Sequence, residues 1–467
     1  MKIIKKILMI LTFAGFSAMV LAGCESDTSA SESSANVSES SSKASGETST
    51  KSSAGSEQKK DESTPSEPID ESSSSEPDNQ EKPSEPQKTF ESEGSLFVSK
   101  EYDATGNVYG DSYYIFSIKN TSDIPLQFNV SADAKDQNGI FLTRGTLTLD
   151  YVAPGETTFA DIKFDGFTDV ANVDFEALAY DAFEELYSNF DKLENKGYRS
   201  ENSVIAALTN IGNDDATFPV ISCTFYDADN NIVYYESKEA EEVLHSVRPG
   251  DTYYVQFASH VDFDHYELHS RALRDKSDVD YYNEVYESNK SFTLKDFIYN
   301  GENMSTSLLV VKNNSDKDVS AKANAVAYDK NGNIIGAADG VFEVIGKGEE
   351  AATEIPFYDT KNISRIDYYL SCSNEPFFKA VLKDLTFNVE ESANGFSVSA
   401  KNNGKIDASQ VKIYFVFYKD NKIIGLENPS DINLEAGTTF TSSFEYDKEK
   451  YDRYECYYDA YGELVSN

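Results

Sequence analysis

The sequence predicts an all-β chain: four tandem antiparallel β-sandwich domains carried behind a disordered Ser/Glu-rich stalk. Three observations lead there. Composition changes in blocks, with nearly all of the 30 Tyr and 29 Phe lying beyond residue 93, so only the later part of the 467 residues can bury a core. From about residue 94, short β-branched and aromatic runs alternate with turn signals, which is the pattern of strands. That region also repeats itself four times.

The first element is residues 1–23. Met1-Lys2-Ile3-Ile4-Lys5-Lys6 is a charged start, and Ile7 to Leu21 is an apolar core too short to remain as a membrane span, so the segment reads as a cleaved export signal. It ends Leu21-Ala22-Gly23-Cys24, which resembles the lipobox of bacterial lipoproteins. The resemblance implies that Cys24 becomes the mature N-terminus and receives a diacylglyceryl group. Two acyl chains of the palmitate type hold a protein on a bilayer where a single chain is marginal. The chain is thereby expected on the outer face of a bacterial cell membrane, with the membrane as its partner through Cys24.

Residues 24–93 form the expected tether. Positions 25–93 hold 22 Ser and 17 acidic residues, with Phe90 the one aromatic and Pro65, Pro68, Pro77, Pro83 and Pro86 towards the far end. Such a segment buries too little apolar surface to offset its conformational entropy. As a flexible coil it reaches roughly 45 Å, and fully stretched about 230 Å.

The repeats are expected at 94–182, 183–289 (with helical linkers at Asp181 to Asn195 and Asp278 to Ser288), 290–376 and 377–467. One marker is an alternating strand that ends in Asn, at Asn120, Asn210, Asn313 and Asn402. A hairpin signal follows at Asp136-Gln137-Asn138-Gly139, Asp227-Ala228-Asp229-Asn230, Asp329-Lys330-Asn331-Gly332 and Lys419-Asp420-Asn421, where Asn and Gly tolerate positive φ. Then comes a Gly turn at Gly155, Gly250, Gly348 and Gly437. Units of about 90 residues have the size of an immunoglobulin-like domain. Thr224-Phe225-Tyr226-Asp227, Val326-Ala327-Tyr328-Asp329 and Phe415-Val416-Phe417-Tyr418 resemble the FxLYD group of bacterial immunoglobulin-like modules. Lys135 and Lys419 depart from that pattern. The resemblance implies a small extracytoplasmic sandwich and brings no catalytic residues with it.

A formal charge of −40 argues against nucleic acid, which is held by clustered Lys and Arg. No Gly-x-Ser-x-Gly elbow, phosphate loop or His-Glu-x-x-His helix is present, and no cofactor is indicated, so the chain is read as a non-enzyme. All four His fall in the second repeat. Of these His260, His265 and His269, with Asp262 or Asp264, are the metal candidates of an alternative reading, a metal or small-solute binding lipoprotein. Asp227 to Asn231 resembles the start of a calcium loop but has Ile232 at the glycine position, so a hairpin is expected. Cys223, Cys372 and Cys456 are read as buried thiols, with a Cys372–Cys456 bridge as the other possibility. The leading expectation is an envelope binding or display module. Its partner would be an envelope protein or carbohydrate, met by exposed Tyr in the pairs Tyr234-Tyr235, Tyr253-Tyr254, Tyr281-Tyr282 and Tyr457-Tyr458. A hydrolase accessory module is a third reading.

Overall fold

β-branched and aromatic residues in period-2 runs form strands, and a strand is stable only when its backbone groups are paired. The computed structural model describes residues 88–98, 101–102, 108–183, 186–239, 246–259, 261–275, 286–287, 291–302, 304–374 and 376–465. The export signal, Leu21 to Cys24, the tether up to residue 87, His260 and the Tyr281-Tyr282 pair lie outside these residues.

The first block of strands comprises β1 (Phe90–Val98), β2 (Ser112–Asn120), β3 (Leu126–Lys135), β4 (Phe141–Val152), β5 (Thr157–Phe164) and β6 (Asn172–Asp181). The second has β7 (Leu193–Ser200), β8 (Ser203–Asn210), β9 (Val220–Tyr226), β10 (Ile232–Glu239), β11 (Thr252–Ala258) and β12 (His265–Arg271). The third has β13 (Phe292–Asn300), β14 (Ser305–Asn313), β15 (Val319–Tyr328), β16 (Ile334–Ile345), β17 (Glu350–Phe357) and β18 (Arg365–Ser373). The fourth has β19 (Leu385–Ser392), β20 (Gly395–Asn402), β21 (Ala408–Lys419), β22 (Lys422–Glu427), β23 (Thr439–Glu445) and β24 (Arg453–Leu464). In every block the first, second and fifth strands make one antiparallel sheet with the second in the middle. The fourth, third and sixth make the other, with the third in the middle. Facing sheets enclose separate cores, around Phe116 and Phe128, Phe225 and Phe257, Phe342 and Phe357, and Phe396 and Phe415. The fold is an all-β immunoglobulin-like sandwich arrangement, with the fourth strand on the sheet of the third and sixth.

Short strands precede blocks two to four. Leu186–Ser188 pairs with Leu273–Asp275, Tyr286–Glu287 with the end of β18, and Phe378–Ala380 with the end of β24. The helical linker expected at Asp181 to Asn195 is therefore corrected. β6 runs to Asp181, Leu186–Ser188 is extended, and only one 3-10 turn, Phe190–Lys192, precedes β7. A helix of that length is marginal in isolation, and pairing along a strand edge satisfies the same backbone groups. Of Asp278 to Ser288 only residues 286–287 are described, and they are a strand.

The strand-ending Asn has the same work in all four repeats. Asn313 is fully buried; its Nδ2 donates to the carbonyls of Lys317 at 2.8 Å and Ile345 at 2.9 Å, and its Oδ1 accepts from the Ser315 N–H at 2.9 Å. Asn120 makes the matching bonds to Ile124, Val152 and Ser122, Asn210 to Asp214, Val247 and Gly212, and Asn402 to Ile406, Leu434 and Gly404. One side chain thus ties the second strand, the loop after it and the end of the fourth strand's segment. The Gly turn closes on the same residue, because the N–H of Gly155, Gly250, Gly348 or Gly437 donates to the Asn carbonyl. Each of these glycines has φ between 75° and 83°, where a side chain is strained. Gly348→Ala is expected to destabilise the third repeat by about 1–2 kcal/mol, read from its urea midpoint.

The hairpins follow the predicted turn chemistry with one difference. Asp136, Asp227 and Asp329 each accept from the backbone N–H groups two and four residues on, for example Asp329 from Asn331 at 2.8 Å and Asn333 at 2.9 Å. Hydrogen bonding to the charged form holds all three carboxyls below their usual range, with the Ile140 N–H leading at Asp136 and the Asn231 and Asn333 side chains leading at the others. In the fourth repeat Lys419 cannot accept. There Asp420 and Asn421, at φ 51° and 61°, form a two-residue turn between Lys419 and Lys422. A register shift lies just before the turn in all four hairpins. The Asp227 segment is a hairpin, as expected, and not a calcium loop.

Candidate binding faces

One face of each sheet is in a core; the other meets water or a neighbour, and the burial along the strand shows which. β8 and β14 are buried on both faces, and β2 buries Ile115 on the face away from its core. β20 instead alternates strictly, with Ser397, Ser399 and Lys401 outward. Third strands show the mirror image. β3 alternates, with Asn129, Ser131 and Asp133 outward, whereas β9 and β15 are buried almost throughout and β21 from Ile413 to Tyr418. The outer face of the first sheet in repeats one to three is covered by the second sheet of the following repeat.

Three seams result. Between repeats one and two, Phe159 stacks on His269 with ring centroids 3.4 Å apart, and Phe97 meets Tyr234 edge-on. Arg271 reaches across to the Thr158 hydroxyl at 2.8 Å, to the Tyr151 carbonyl, and to the wholly buried Glu156 at 3.4 Å. Desolvation raises the pKa of Glu156 and lowers that of Arg271, each towards its neutral form. Between repeats two and three, Asn324 acts as a substitute peptide for the edge strand β11. Its Oδ1 accepts the Tyr254 N–H at 2.8 Å and its Nδ2 donates to the Tyr254 carbonyl at 2.7 Å. Tyr253 donates to Asp339 at 2.7 Å, and Lys322 pairs with the same carboxylate at 3.2 Å. Between repeats three and four the seam is apolar: Phe297, Leu308, Val310 and Ala352 pack against Tyr414, Val416 and Tyr418.

These seams overturn the expectation of exposed contact Tyr in the three described pairs. Tyr235 is half-buried, with its pKa pushed up to about 12 by burial and then by Asp161 of repeat one. Tyr254 stacks on Tyr369 of repeat three, and Tyr457 packs at a tilt against Phe297 of repeat three. Their partners in each pair, Tyr234, Tyr253 and Tyr458, pack against their own cores. The two residues of a pair alternate, and the outward one meets a neighbouring repeat instead of water.

The two described histidines, His265 and His269, are also accounted for by packing. His265 stacks flat on Tyr226 at 5.0 Å, at the position where Arg365 covers Tyr328 at 4.0 Å and Arg453 covers Tyr418 at 3.4 Å. His269 belongs to the Phe159 stack, and burial lowers its pKa. The two share a face of β12, but four residues of strand separate them by about 13 Å, too far to hold one ion with bonds of about 2 Å. Among the described residues no group of three or more His, Cys, Asp or Glu is placed to hold a metal. Cys223 and Cys372 are buried and Cys456 half-buried, none of the three is in a disulfide, and burial raises the pKa of Cys223 and Cys456.

Among the described residues two outer sheet faces are uncovered. On β19, β20 and β23 the outer face is Thr386, Asn388, Ser399, Lys401, Thr441 and Ser443, a polar surface. On β4, β3 and β6 the outer face has polar Asn129, Ser131 and Thr146 with the pairs Arg144–Asp133 and Lys135–Asp174. It also exposes Phe141 at 55%, Leu178 at 48% and Tyr180 at 44%. Phe141 stands where Ile423 of the fourth repeat enters the apolar seam. Lys135, the departure from the Tyr pattern, stands where Tyr226, Tyr328 and Tyr418 take a His or Arg over their rings.

The fold and its faces define a serial stack of antiparallel sandwiches. No protein-family model and no curated protein matches the chain. Among solved structures it is similar to Escherichia coli alpha-2-macroglobulin activated by porcine elastase, at 9% identity over 79% of this chain and 44% of that one, TM-score 0.12. It is also similar to Salmonella alpha-2-macroglobulin reacted with methylamine, at 10% identity over 79% of this chain and 31% of that one, TM-score 0.12. The chain thus spans less than half the length of these proteins. At such scores the likeness carries no argument, and the fold class rests on the strand pairing. No helix among the described residues is long and apolar enough to cross a membrane.

Proposed function

We propose that the chain is a non-enzymatic lipoprotein of the bacterial cell surface, held to the outer face of the membrane through diacylglyceryl-Cys24, and that its sandwiches are a binding or display module of the envelope. The partner would be an envelope protein or carbohydrate. The single observation that supports binding is the open second-sheet face of repeat one. The same face docks a neighbouring sandwich in the other three repeats, and here it leaves Phe141, Leu178 and Tyr180 in solvent. An aromatic and aliphatic patch rimmed by amides, hydroxyls and self-neutralised ion pairs is suited to a contact surface. The lipobox resemblance supports the location, and the FxLYD resemblance supports an extracytoplasmic module.

Two measurements test the reading. Cys24→Ser should release the protein from the membrane fraction into the medium; retention at wild-type level would reject lipid attachment. In crosslinking on intact cells, the wild type should give a discrete partner band that Phe141→Ser/Leu178→Ser/Tyr180→Ser abolishes with the circular dichroism spectrum unchanged. A band that survives the triple substitution would move binding away from this face.

A further inference from the structure

Repeats two to four each take a short strand from the linker that precedes them, and that strand always occupies the same place, beside the end of the sixth strand. Ser188 pairs with Leu273, Tyr286 with Ser373 and Ala380 with Tyr461. The linker strands end at Ser188, Glu287 and Ala380, five residues before Leu193, Phe292 and Leu385. Those three residues correspond to Phe90 of repeat one, since each lies opposite the strand-ending Asn. Every linker strand includes an aromatic residue, Tyr187, Tyr286 or Phe378, and the Phe378 ring lies 4.6 Å from that of Tyr461. In repeat one the matching place is Tyr180, opposite Gln127 as Ser373 is opposite Ser320 and Tyr461 opposite Gln410. Among the described residues nothing pairs with this edge of β6. Tyr180 is exposed there with Leu178 and Phe183, whereas Leu273 and Tyr461 are half-buried and Ser373 is buried. Lys88 meets Asp181 at 3.2 Å, so the chain enters β1 past the end of β6. Counted back from Phe90 by the same spacing, the chain's own contribution would be Pro83-Ser84-Glu85, with Pro86 next. Proline has no N–H for a ladder, and these residues include no β-branched side chain and no ring to set on Tyr180.

We propose that the end of β6, residues 178–183, is a strand acceptor: an extended, aromatic-bearing segment of another envelope protein takes the place that the linker strand fills in the other three repeats. The inference rests on the binding reading above and narrows its partner to a polypeptide. Unpaired N–H and C=O groups along the edge supply main-chain hydrogen bonds, and Leu178, Tyr180 and Phe183 receive the aromatic side chain.

The probe is a synthetic peptide with the sequence of residues 374–381, which includes the linker strand of repeat four. At about 2 mM it should slow hydrogen exchange at residues 178–183 of the full chain about threefold, the factor 1 + [L]/Kd for a Kd near 1 mM, and leave residues 306–311 unchanged. The same peptide with Phe378→Ser should lose most of the effect. Exchange that the first peptide leaves unaltered, or that both peptides slow equally, would overturn the proposal. A variant that fills the place in cis gives a second reading. Lys82→Phe/Pro83→Phe/Ser84→Lys/Glu85→Ala/Pro86→Val writes the repeat-four linker ahead of β1; it should protect residues 178–183 without peptide and abolish the partner band on intact cells. A band that survives in this variant but is lost in Phe141→Ser/Leu178→Ser/Tyr180→Ser overturns the acceptor and leaves the open-face reading standing. Absence of any band in the wild type rejects the open-face reading, and the peptide then decides the acceptor alone.

Discussion

Asn313→Ala is expected to destabilise the third repeat by about 3 kcal/mol, taking its three shortest bonds to the backbone at about 1 kcal/mol each. Their loss leaves the carbonyls of Lys317 and Ile345 and the N–H of Ser315 without that partner. Asn313→Asp is the sharper experiment. It keeps the accepting oxygen but turns a donor into a carboxylate facing two carbonyls, so at neutral pH it should be at least as harmful as alanine. Its deficit should shrink in acid, because a buried carboxyl among acceptors has a raised pKa and regains a donor when protonated. The chain has no Trp, so urea unfolding is best followed by circular dichroism, with hydrogen exchange at β14 and β16 to localise the loss. Equal stability of the alanine variant and wild type would show that the corner is incidental.

That corner explains why the repeats could be found in the sequence. Asn at the end of the second strand and the turn Gly, 35 residues later in three repeats and 40 in the second, are parts of one hydrogen-bonded knot, so both recur in the same order. Asp at the hairpins recurs because its carboxylate organises the turn. The departures were equally visible and lacked only an interpretation. Lys135 breaks the aromatic pattern in the repeat whose second-sheet face is open. Thr438 replaces the acidic residue in the repeat whose first-sheet face is open, whereas Glu156 engages Arg271 and Glu349 accepts from the Lys383 N–H of the segment leading into repeat four. Strictly alternating Phe396 to Lys401 beside the continuously apolar Leu308 to Val311 marks the same end.

The seams themselves could not be read from spacing. Period-2 alternation divides a strand into two faces but does not say whether the outward one meets water, and an outward Tyr looks alike in both cases. Asn324 and Arg271 carry no motif, since their partners lie 70 and more than 110 residues away in sequence. The helical reading of Asp181 to Asn195 failed for a related reason: the edge of the Leu273–Asp275 strand, which pairs with Leu186–Ser188, is not visible locally.

Titratable groups within the first seam act in opposite senses. His269 is lowered by burial, so its share of stability is present above the ordinary histidine value of about 6.5 and is lost as pH falls through the lowered value it has in the fold. Glu156 is raised by burial, so its share is present below the ordinary carboxylate range and is lost as pH rises through its raised value.

The largest single effect is expected at Glu156 and Arg271. Glu156→Ala removes the counter-charge of a guanidinium whose Nε lies against it in a closed seam, and such a change costs about 3–5 kcal/mol because the remaining charge stays buried. Arg271→Met should cost a similar amount, with Glu156 then titrating high and its loss easing in acid. The double change Glu156→Leu/Arg271→Met should be close to wild type, since desolvation already pushes both groups towards neutrality and an apolar pair of similar volume avoids that cost. Thermal unfolding and exchange at β5 and β12 give the three values of a double-mutant cycle. If the double variant is as unstable as the singles combined, the pair contributes through its bonds to Thr158 and Tyr151 and not through charge. Recovery in the double would mean that the first seam depends on mutual neutralisation, and that these two positions chiefly fix which faces meet.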